Sequence, residues 1–245
     1  MVRSAAALVV PRVVCVGGLV LDRSVAPPKF LAMASVEALD LSMLRWSGAR
    51  CMPALPDPRA YHSVSLAADG SVVVCAGFNR GAANEMKHLM KTASRWSHTG
   101  SEWASLPDLQ KKRQYSASAG LPDGRTLAIG GYAARQVVAS VLALAADVNE
   151  WSTLAPMDQA RWSAAAAVLP DGKVLVAGGQ ATEQADSTLK TAELYDPATN
   201  AWTALPDMAH ERSVWLAASF QAVRWLCWVA SGWTVWLVTV QRHRV

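Results

Sequence analysis

Arginine recurs along this chain at a nearly constant place relative to its neighbours, and arginine side chains can recognise anions. Each copy stands a few residues before a run of small or apolar residues, and the four copies are Arg59, Arg113, Arg161 and Arg212. A guanidinium group carries five N–H donors in a planar fork that matches carboxylates. Four such groups around one centre would bind an acidic peptide or a sugar acid.

The same arginines allow a second interpretation, in which they hold the protein together. A side chain that recurs in every repeat can donate hydrogen bonds to the same loop carbonyls in each. Binding residues are rarely repeated in every unit of an array, whereas packing residues must be, because each unit contacts only its neighbours. The packing role is therefore favoured, and the four arginines stay candidate binding residues.

Histidine supplies the other candidate group. His62 follows Tyr61 close to Arg59, and His210 lies two residues before Arg212, so these groups would meet if the units surrounded an axis. We therefore include His62 among the candidate binding residues. The histidines show neither HxH nor HExxH spacing, so the sequence predicts no metal site.

Common catalytic patterns are missing from the sequence. It contains no GxSxG elbow, no GxGxxG loop and no GxxxxGK[ST] motif. Asp69, Asp123 and Asp171 each stand in a turn sequence, so they do not suggest a Ser/His/Asp triad. No catalytic residue and no cofactor is predicted, and an enzymatic role is disfavoured.

Composition and charge narrow the class of protein. Hydrophobic residues make up 52% of the 245 residues and charged residues 17%, which is ample apolar material for a core. The formal net charge is +4, but no run of five or more basic residues occurs, so nucleic acid is not an expected partner. Cys15 and Cys75 stand two residues before Gly17 and Gly77, which predicts buried thiols at one interior strand position in two units.

The stretch from 161 to 206 shows which elements position these residues. Two short apolar runs, 163–169 and 173–177, flank Pro170-Asp171-Gly172, a sequence typical of a hairpin turn. A glycine pair, Gly178-Gly179, ends the second run. Two more strands follow at 192–196 and 200–205, the last carrying Trp202. The stretch therefore predicts one four-stranded unit.

The same pattern occurs elsewhere in the chain, which predicts a tandem array. The units are about 3–57, 59–107, 113–157 and 161–207, within an array of 1–212. The predicted structural positions are glycines that end the second strand and tryptophans of the last strand: Gly17, Gly18, Gly77, Gly130, Gly131, Gly178, Gly179, Trp46, Trp103, Trp151 and Trp202. The second unit departs from the pattern by having Ala76 in place of the first glycine.

These glycine pairs, tryptophans and Asp196-Pro197 resemble those of kelch repeats, whose unit is about 50 residues and four strands. The resemblance implies an all-β fold, a kelch-type β-propeller like that of galactose oxidase. About four four-stranded blades and a fragment of a fifth would be present, a partial propeller, since members of the family usually have five to seven blades. It also implies a protein-binding platform that engages its ligands through loops on one face.

The segment from 213 to 245 departs from the pattern, because a degenerate start of a fifth blade leads into a Trp-rich tail. One interpretation is a tail anchor, although the 16 uncharged residues of 225–240 are short for a bilayer core. The other is an incomplete or mis-framed gene model, since another frame places a glycine pair where a second strand should end.

At the other end of the chain, the apolar run after Arg3 suggests either a secretory signal or a first inner strand, and the strand is favoured.

Two functions follow from the resemblance. The first is a non-catalytic protein–protein interaction module in the cytoplasm, binding an unknown protein partner through the loops 78–90, 132–137 and 180–190. The alternative is a carbohydrate enzyme on a propeller scaffold, such as a sugar oxidase or a sialic-acid mutarotase. Membrane association is not expected. Because a partial propeller leaves open edges, the chain is also expected to self-associate.

Overall fold

The computed structural model describes residues 12–24, 26–40, 43–47, 52–79, 88–97, 100–184, 186–213 and 238–240. This part of the chain contains strands, turns and bends, so the prediction of an all-β fold is confirmed. It includes no helix that is long and apolar enough to cross a membrane. The described strands are β1 Arg12–Asp22, β2 Lys29–Asp40, β3 Arg45–Trp46, β4 Ser63–Leu66, β5 Val72–Cys75, β6 Phe78–Asn79, β7 His88–Leu89, β8 Ala93–Trp96, β9 Ala104–Leu106, β10 Arg113–Gln114, β11 Ala117–Gly120, β12 Thr126–Ile129, β13 Tyr132–Ala133, β14 Gln136–Val137, β15 Val141–Leu144, β16 Trp151–Leu154, β17 Ala165–Val168, β18 Val174–Ala177, β19 Ala192–Asp196, β20 Ala201–Leu205 and β21 Val238–Val240.

Four antiparallel sheets of four strands form the blades of the partial propeller. Blade 1 has the strand order β21-β1-β2-β3, blade 2 β4-β5-β8-β9, blade 3 β11-β12-β15-β16 and blade 4 β17-β18-β19-β20. The inner strands β4, β11 and β17 approach one another across the blade boundaries. The first strand of each blade therefore lies nearest the axis, where small residues such as Ala and Ser suit the crowded packing.

The hairpins between first and second strands are closed by the predicted Asp-Gly turns. Gly172 has a φ of 84°, which glycine adopts without the steric cost that a side chain would bring. The Asp171 carboxylate accepts a hydrogen bond from the Lys173 main chain at 3.1 Å, and Asp69 and Asp123 cap their turns in the same way. The sequence around these turns therefore fixes the pairing register of β17 with β18.

Apolar side chains of consecutive blades form one core layer at each boundary. Val14 and Val36 of blade 1 pack with Val72 of blade 2, and Leu127 of blade 3 packs with Val176 of blade 4. Because side chains alternate across a strand, each blade turns one apolar face to the blade before it and the other to the blade after it. The stability of each blade therefore depends on its neighbours.

Blade 1 differs from its prediction in one place. The Pro27-Pro28 pair predicts a long loop over 22–35, and that prediction is wrong. β1 continues past a bulge between Val16 and Gly18, and 19–22 pair with 29–32. The apolar residues on both sides of the segment 23–28 allow the hairpin to extend beyond the glycine pair.

The edge of β1 nearest the axis carries β21. Arg12 pairs with Val240 and Val14 with Val238, in antiparallel register. The sequence placed the first inner strand at 4–10, which lies outside the described residues. The same holds for most of the tail, 214–237 and 241–245, so the anchor and frame interpretations stay predictions.

The glycine pairs occur where one blade touches the chain leading into the next. Gly130 has a φ of 61°, and a Cβ at this position would overlap the carbonyl oxygen of Arg161 and lie 3.0 Å from the Met157 Cε atom. Gly178 stands in the same relation to the Arg212 carbonyl. At Gly130 and Gly178 glycine therefore avoids both a strained φ and a collision with another main chain, whereas blade 2 carries Ala76 at the equivalent position with a φ of 62°.

We predict that Gly130→Ala is much more destabilising than Gly172→Ala. Both glycines have positive φ, but a Cβ at Gly172 would have only the Pro122 side chain within reach, at 3.8 Å. Gly172→Ala should therefore lower the free energy of unfolding by about 1 kcal/mol, the cost of a left-handed alanine. Gly130→Ala should cost about 3 kcal/mol or more because overlap with main-chain atoms is added. Urea denaturation measures both, and equal losses would contradict this account of the glycine pair.

Candidate functional site

Three of the candidate arginines are buried inside the blades. Arg161 is 1% exposed, and its Nη1 atom donates to the Gly178 carbonyl at 2.9 Å and the Thr191 carbonyl at 3.0 Å. Its Nη2 atom donates to the Thr191 hydroxyl at 3.2 Å. The guanidinium group thus joins the end of β18 to the start of β19 in blade 4.

Blades 2 and 3 repeat this arrangement. Arg59 donates to the Thr92 carbonyl at 3.2 Å and to the Thr92 hydroxyl at 3.1 Å. Arg113 donates to the Gly130 carbonyl at 3.2 Å and to the Ser140 hydroxyl at 3.4 Å. Burial lowers the pKa of both Arg59 and Arg113 from the ordinary value of arginine. The acceptors in each blade thus compensate the Nη donors that burial removes from water, while the Nε atoms of Arg59, Arg113 and Arg161 are buried without a hydrogen-bond partner among the described residues.

The main chain of each arginine is bonded to the blade before it. The Arg161 carbonyl accepts a hydrogen bond from the Gly131 N–H at 2.9 Å, and the Arg113 carbonyl accepts one from Gly77 at 2.8 Å. Since the side chains bond to the following blade, each arginine links two blades. Arg212 makes the main-chain bond to Gly179 at 2.8 Å, but its side chain is exposed.

Blade 4 adds a carboxylate to the arginine cluster. Glu193 is 3% exposed and accepts a hydrogen bond from the Arg161 Nη2 atom at 2.6 Å. Its two oxygens also accept from the main-chain N–H groups of Asp158 and Gln159, at 2.8 and 3.1 Å. The Glu193 carboxylate of the buried ion pair therefore accepts three hydrogen bonds, which help to offset the cost of burying the charges.

We predict that breaking this pair is costly. Arg161→Met leaves Glu193 buried without its counter-ion, which should lower the free energy of unfolding by about 3–5 kcal/mol. The double variant Arg161→Met/Glu193→Gln keeps an oxygen for the two main-chain donors and removes the unpaired charge. It should therefore lose less than the sum of the single variants in a double-mutant cycle.

The matched control is Arg125→Met, which breaks the partly exposed pair with Asp123. Exposed pairs contribute about 0–1 kcal/mol, so this variant should be close to the wild type. Losses of equal size for Arg125→Met and Arg161→Met would contradict the structural role of Arg161.

His62 lies beneath the boundary between blades 1 and 2. It is 0% exposed, and the Cε1 atom lies 3.0 Å from where a Cβ on Gly17 would be. Burial, with the nearby Arg59 charge, lowers the pKa of His62 to about 3, although hydrogen bonds with the main chain of Val16 and Arg59 act in the opposite direction. The imidazole is therefore neutral throughout the physiological pH range.

This burial predicts a pH dependence of stability. Unfolding frees His62 to bind a proton below its ordinary pKa of 6.5, while the folded protein does not bind one until about pH 3. The stabilisation is therefore complete above pH 6.5 and is lost as the pH falls towards 3. Between pH 7.5 and 5 we expect His62 to account for a loss of about 2 kcal/mol in the free energy of unfolding.

Urea denaturation of His62→Gln at the two pH values tests this expectation. The variant should lose about 2 kcal/mol less than the wild type over that interval. His210→Gln, which removes an exposed histidine, should behave as the wild type does. An unchanged pH dependence in His62→Gln would exclude His62 as the source.

Five aromatic rings form a continuous series beside the buried arginines. We call it the aromatic arc: Phe78, Tyr61, Tyr115, Trp162 and Tyr132. Tyr61 stacks on Tyr115 with the ring centroids 4.3 Å apart, and Tyr115 meets Trp162 edge-on at 4.8 Å. Phe78 is 5.1 Å from Tyr61, and Tyr132 is 6.2 Å from Trp162. Phe78 is buried, and the other four are half-buried.

The main chain holds the arc in place. Tyr115 donates its N–H to the Tyr61 carbonyl at 2.8 Å, and Ser163 donates its own to the Tyr115 carbonyl at 3.0 Å. All three residues have φ between 50° and 56°. They stand just before the inner strands of blades 2, 3 and 4, so a line of hydrogen bonds joins the three blades near the axis.

Polar contacts fix the end of the arc at blades 3 and 4. The Tyr132 hydroxyl donates to the Glu183 carboxylate at 2.6 Å, and the Trp162 indole donates to the Thr182 carbonyl at 2.9 Å. The bond to Glu183 raises the pKa of Tyr132, and burial raises the pKa of Tyr115 far above the ordinary value. The phenols are therefore neutral hydrogen-bonding groups at physiological pH.

The loops between second and third strands lie at the same end of the blades as the arc. Ala60 bridges Phe78, Gln114 pairs with Tyr132, and Trp162 bridges Gln180. The predicted loops 132–137 and 180–190 therefore border the arc, apart from residue 185, which is not described. Most of the first loop, 80–87, lies outside the described residues.

The structure separates most of the candidate binding residues from solvent. Arg59, Arg113 and Arg161 occupy three different blades and, like His62, face protein, while Arg212 is exposed. A ligand-binding role for these five residues stays a prediction. Within the described part of the chain, no group of three or more His, Cys, Asp and Glu side chains is arranged to hold a metal ion.

The tryptophans of the last strands join each blade to the one before it. The indole N–H of Trp103 donates to the Pro53 carbonyl, that of Trp151 to Pro107 and that of Trp202 to Ala155, each at 2.9 Å. Trp46, at the same position in blade 1, is 52% exposed. The other three tryptophans thus link consecutive blades through their indole N–H groups.

A family model, the kelch motif, matches residues 161–209. This range contains the whole of blade 4 with its leading arginine, its glycine pair and its tryptophan. Residues 161–209 carry a kelch motif. The arginine and glycine contacts of blade 4 recur in blades 2 and 3. No curated protein sequence matches the chain.

Proposed function

We propose that this kelch-repeat protein is a non-catalytic protein-interaction module that binds its partner on the aromatic arc. The observation that carries the proposal is the arc itself, a series of half-buried tyrosine and tryptophan rings at the loop end of the blades. Trp103, Trp151 and Trp202 join one blade to the next, whereas the arc turns part of its tyrosine and tryptophan rings to solvent.

The chemistry of the arc suits a protein partner. Tyrosine and tryptophan bury large areas at low cost in conformational entropy, and they are enriched among the residues that dominate binding energy. The stacked contact of Tyr61 with Tyr115 and the main-chain bond between them restrict both rings before a partner arrives. A surface ordered in advance loses less entropy on binding.

Specificity would come from the polar residues beside the arc. Arg135 in the turn between β13 and β14, Gln136 at the start of β14 and Glu183 in the loop of blade 4 are all exposed. Charges of both signs at the rim select partners by complementarity and affect the association rate more than the affinity. The loops of consecutive blades differ in sequence, so each blade contributes different contacts.

The cytoplasm is the compartment that we propose for this function. Cys15 and Cys75 are both free, and burial raises the pKa of each thiol to about 11. Unreactive free thiols of this kind are usual in a reducing compartment.

Selection of peptides from a phage-displayed random library tests the proposed function. Peptides selected on the wild-type chain should lose about tenfold or more in affinity for Tyr115→Ala, since truncating a central aromatic contact usually costs more than 1 kcal/mol. Phe30→Ala removes another exposed ring, far along the β1–β2 hairpin, and serves as the matched control. Its affinity for the same peptides should be unchanged.

Two results would contradict the proposal. Selected peptides that bind Tyr115→Ala as well as the wild type would place the binding surface elsewhere. If no peptide is selected, and soluble glycans instead bind the wild type but not Tyr115→Ala, the arc would belong to the carbohydrate-directed alternative.

A further inference from the structure

One face of blade 4 is open where the same face of blade 3 is covered. In blade 3 the residues Leu127, Ile129 and Ala143 are all at most 1% exposed, because blade 4 packs on them. Their equivalents by strand register are Leu175, Ala177 and Leu194, which are only half-buried. Blade 4 therefore presents an apolar sheet face of the kind that elsewhere receives another blade.

Arg212 extends from this open face in the position of a blade-linking arginine. Its main chain is bonded like that of the other copies, with the carbonyl accepting from Gly179 and the N–H donating to Leu189 at 3.0 Å. Its guanidinium group is exposed, and no hydrogen bond or ion pair joins it to another described residue. The Arg212 guanidinium group, whose equivalents bond to the following blade, thus makes no such bond within the described structure.

Blade 1 offers acceptors that match this arginine. In blade 4, Arg161 is received by Gly178, Thr191 and Glu193. The corresponding residues of blade 1 are the main chain of Gly17, the hydroxyl group of Ser35 and the carboxylate of Glu37. Glu37 is exposed, and it faces away from blade 2 because its neighbours Val36 and Ala38 pack there.

Trp46 provides a second match, independent of charge. The indole groups of Trp103, Trp151 and Trp202 each donate to a carbonyl in the linker that follows the preceding blade. Two residues after that carbonyl, a main-chain N–H donates a hydrogen bond to the preceding blade. The next carbonyl in this series belongs to Pro206, which is exposed, as is Trp46. An exposed donor on blade 1 and an exposed acceptor after blade 4 thus complete the pattern that joins blades 1 to 4.

We propose that blade 4 of one chain docks on blade 1 of a second copy of the same chain. In this arrangement Arg212 of one protomer occupies the Gly17–Ser35–Glu37 site of its partner, and Trp46 of one donates to Pro206 of the other. The opposite charges of Arg212 and Glu37 set the register. Two such contacts close a ring of eight blades, within the usual range of four to eight for propellers.

The two surfaces do not meet within one chain. Arg212, Glu37 and Trp46 are all exposed in the same folded protomer, so the contact needs another molecule. The interface is heterologous, since the two surfaces differ, and it satisfies both surfaces only when the ring closes. This gives the expected self-association a defined pair of surfaces and a defined stoichiometry.

Sedimentation velocity of the full-length chain at micromolar concentrations tests the proposal. The wild type should sediment as a dimer. Arg212→Glu and Glu37→Arg should each raise the dissociation constant about thirtyfold or more, because each places like charges opposite one another in both contacts. An equimolar mixture of the two variants should again form a dimer, since the mixed pair restores opposite charges in both contacts.

Matched controls separate the register from net charge. Lys111→Glu and Glu150→Arg make the same changes of charge at other exposed positions and should dimerise as the wild type does. Circular dichroism and thermal melting confirm that each variant is folded. A wild type that sediments as a monomer overturns the proposal, as does a dimer that both charge reversals leave intact or a variant mixture that stays monomeric.

Discussion

The structure depends on a buried cation that bonds two blades at once. In each of Arg59, Arg113 and Arg161 the carbonyl belongs to the hydrogen-bonding system of one blade and the guanidinium group to that of the next. A buried charge is costly unless its donors are satisfied, so each blade must present its carbonyls and hydroxyl at the right place. At Gly130 and Gly178 a Cβ would collide with the arginine carbonyl that joins the two blades, whereas blade 2 accommodates Ala76 at the equivalent position.

The arginines bond to one blade through the main chain and to the next through the side chain, and these bonds also position the candidate binding surface. Tyr61 and Tyr115 follow the linking arginines by two residues, so the same contacts that join the blades bring the aromatic rings together. Packing and recognition are thus carried by adjacent residues. The arginine side chains are buried, so the groups available to a partner are the half-buried rings beside them.

Much of the fold could be predicted from local sequence. The pattern of blade 4 predicts β19 with its observed bounds, and the recurrence of the glycine pairs and tryptophans predicts the blades. The kelch motif of blade 4 and the partial propeller are confirmed. The extended β1–β2 hairpin was missed because pairing beyond a bulge depends on two distant apolar segments rather than on a turn signal.

The aromatic arc was harder to predict than the fold. Its rings come from different positions of the repeat, since Trp162 stands one residue after its arginine while Tyr61 and Tyr115 stand two residues after theirs. A search for identical repeat positions therefore does not find them. The one available signal was the recurrence of aromatic residues immediately after the arginines. Glu193 was likewise recognised as a strand residue, but its bonds to Asp158 and Gln159 depend on how the linker folds back.

The pairing of β21 with β1 has a consequence for the order in which the molecule forms on the ribosome. Blades 2, 3 and 4 each draw their strands from a continuous segment, so each can assemble as soon as its own segment has been synthesised. Blade 1 instead waits for Val238–Val240, made after all the other strands, and its loop closure spans nearly the whole nascent chain. The first strands to emerge therefore complete their sheet last.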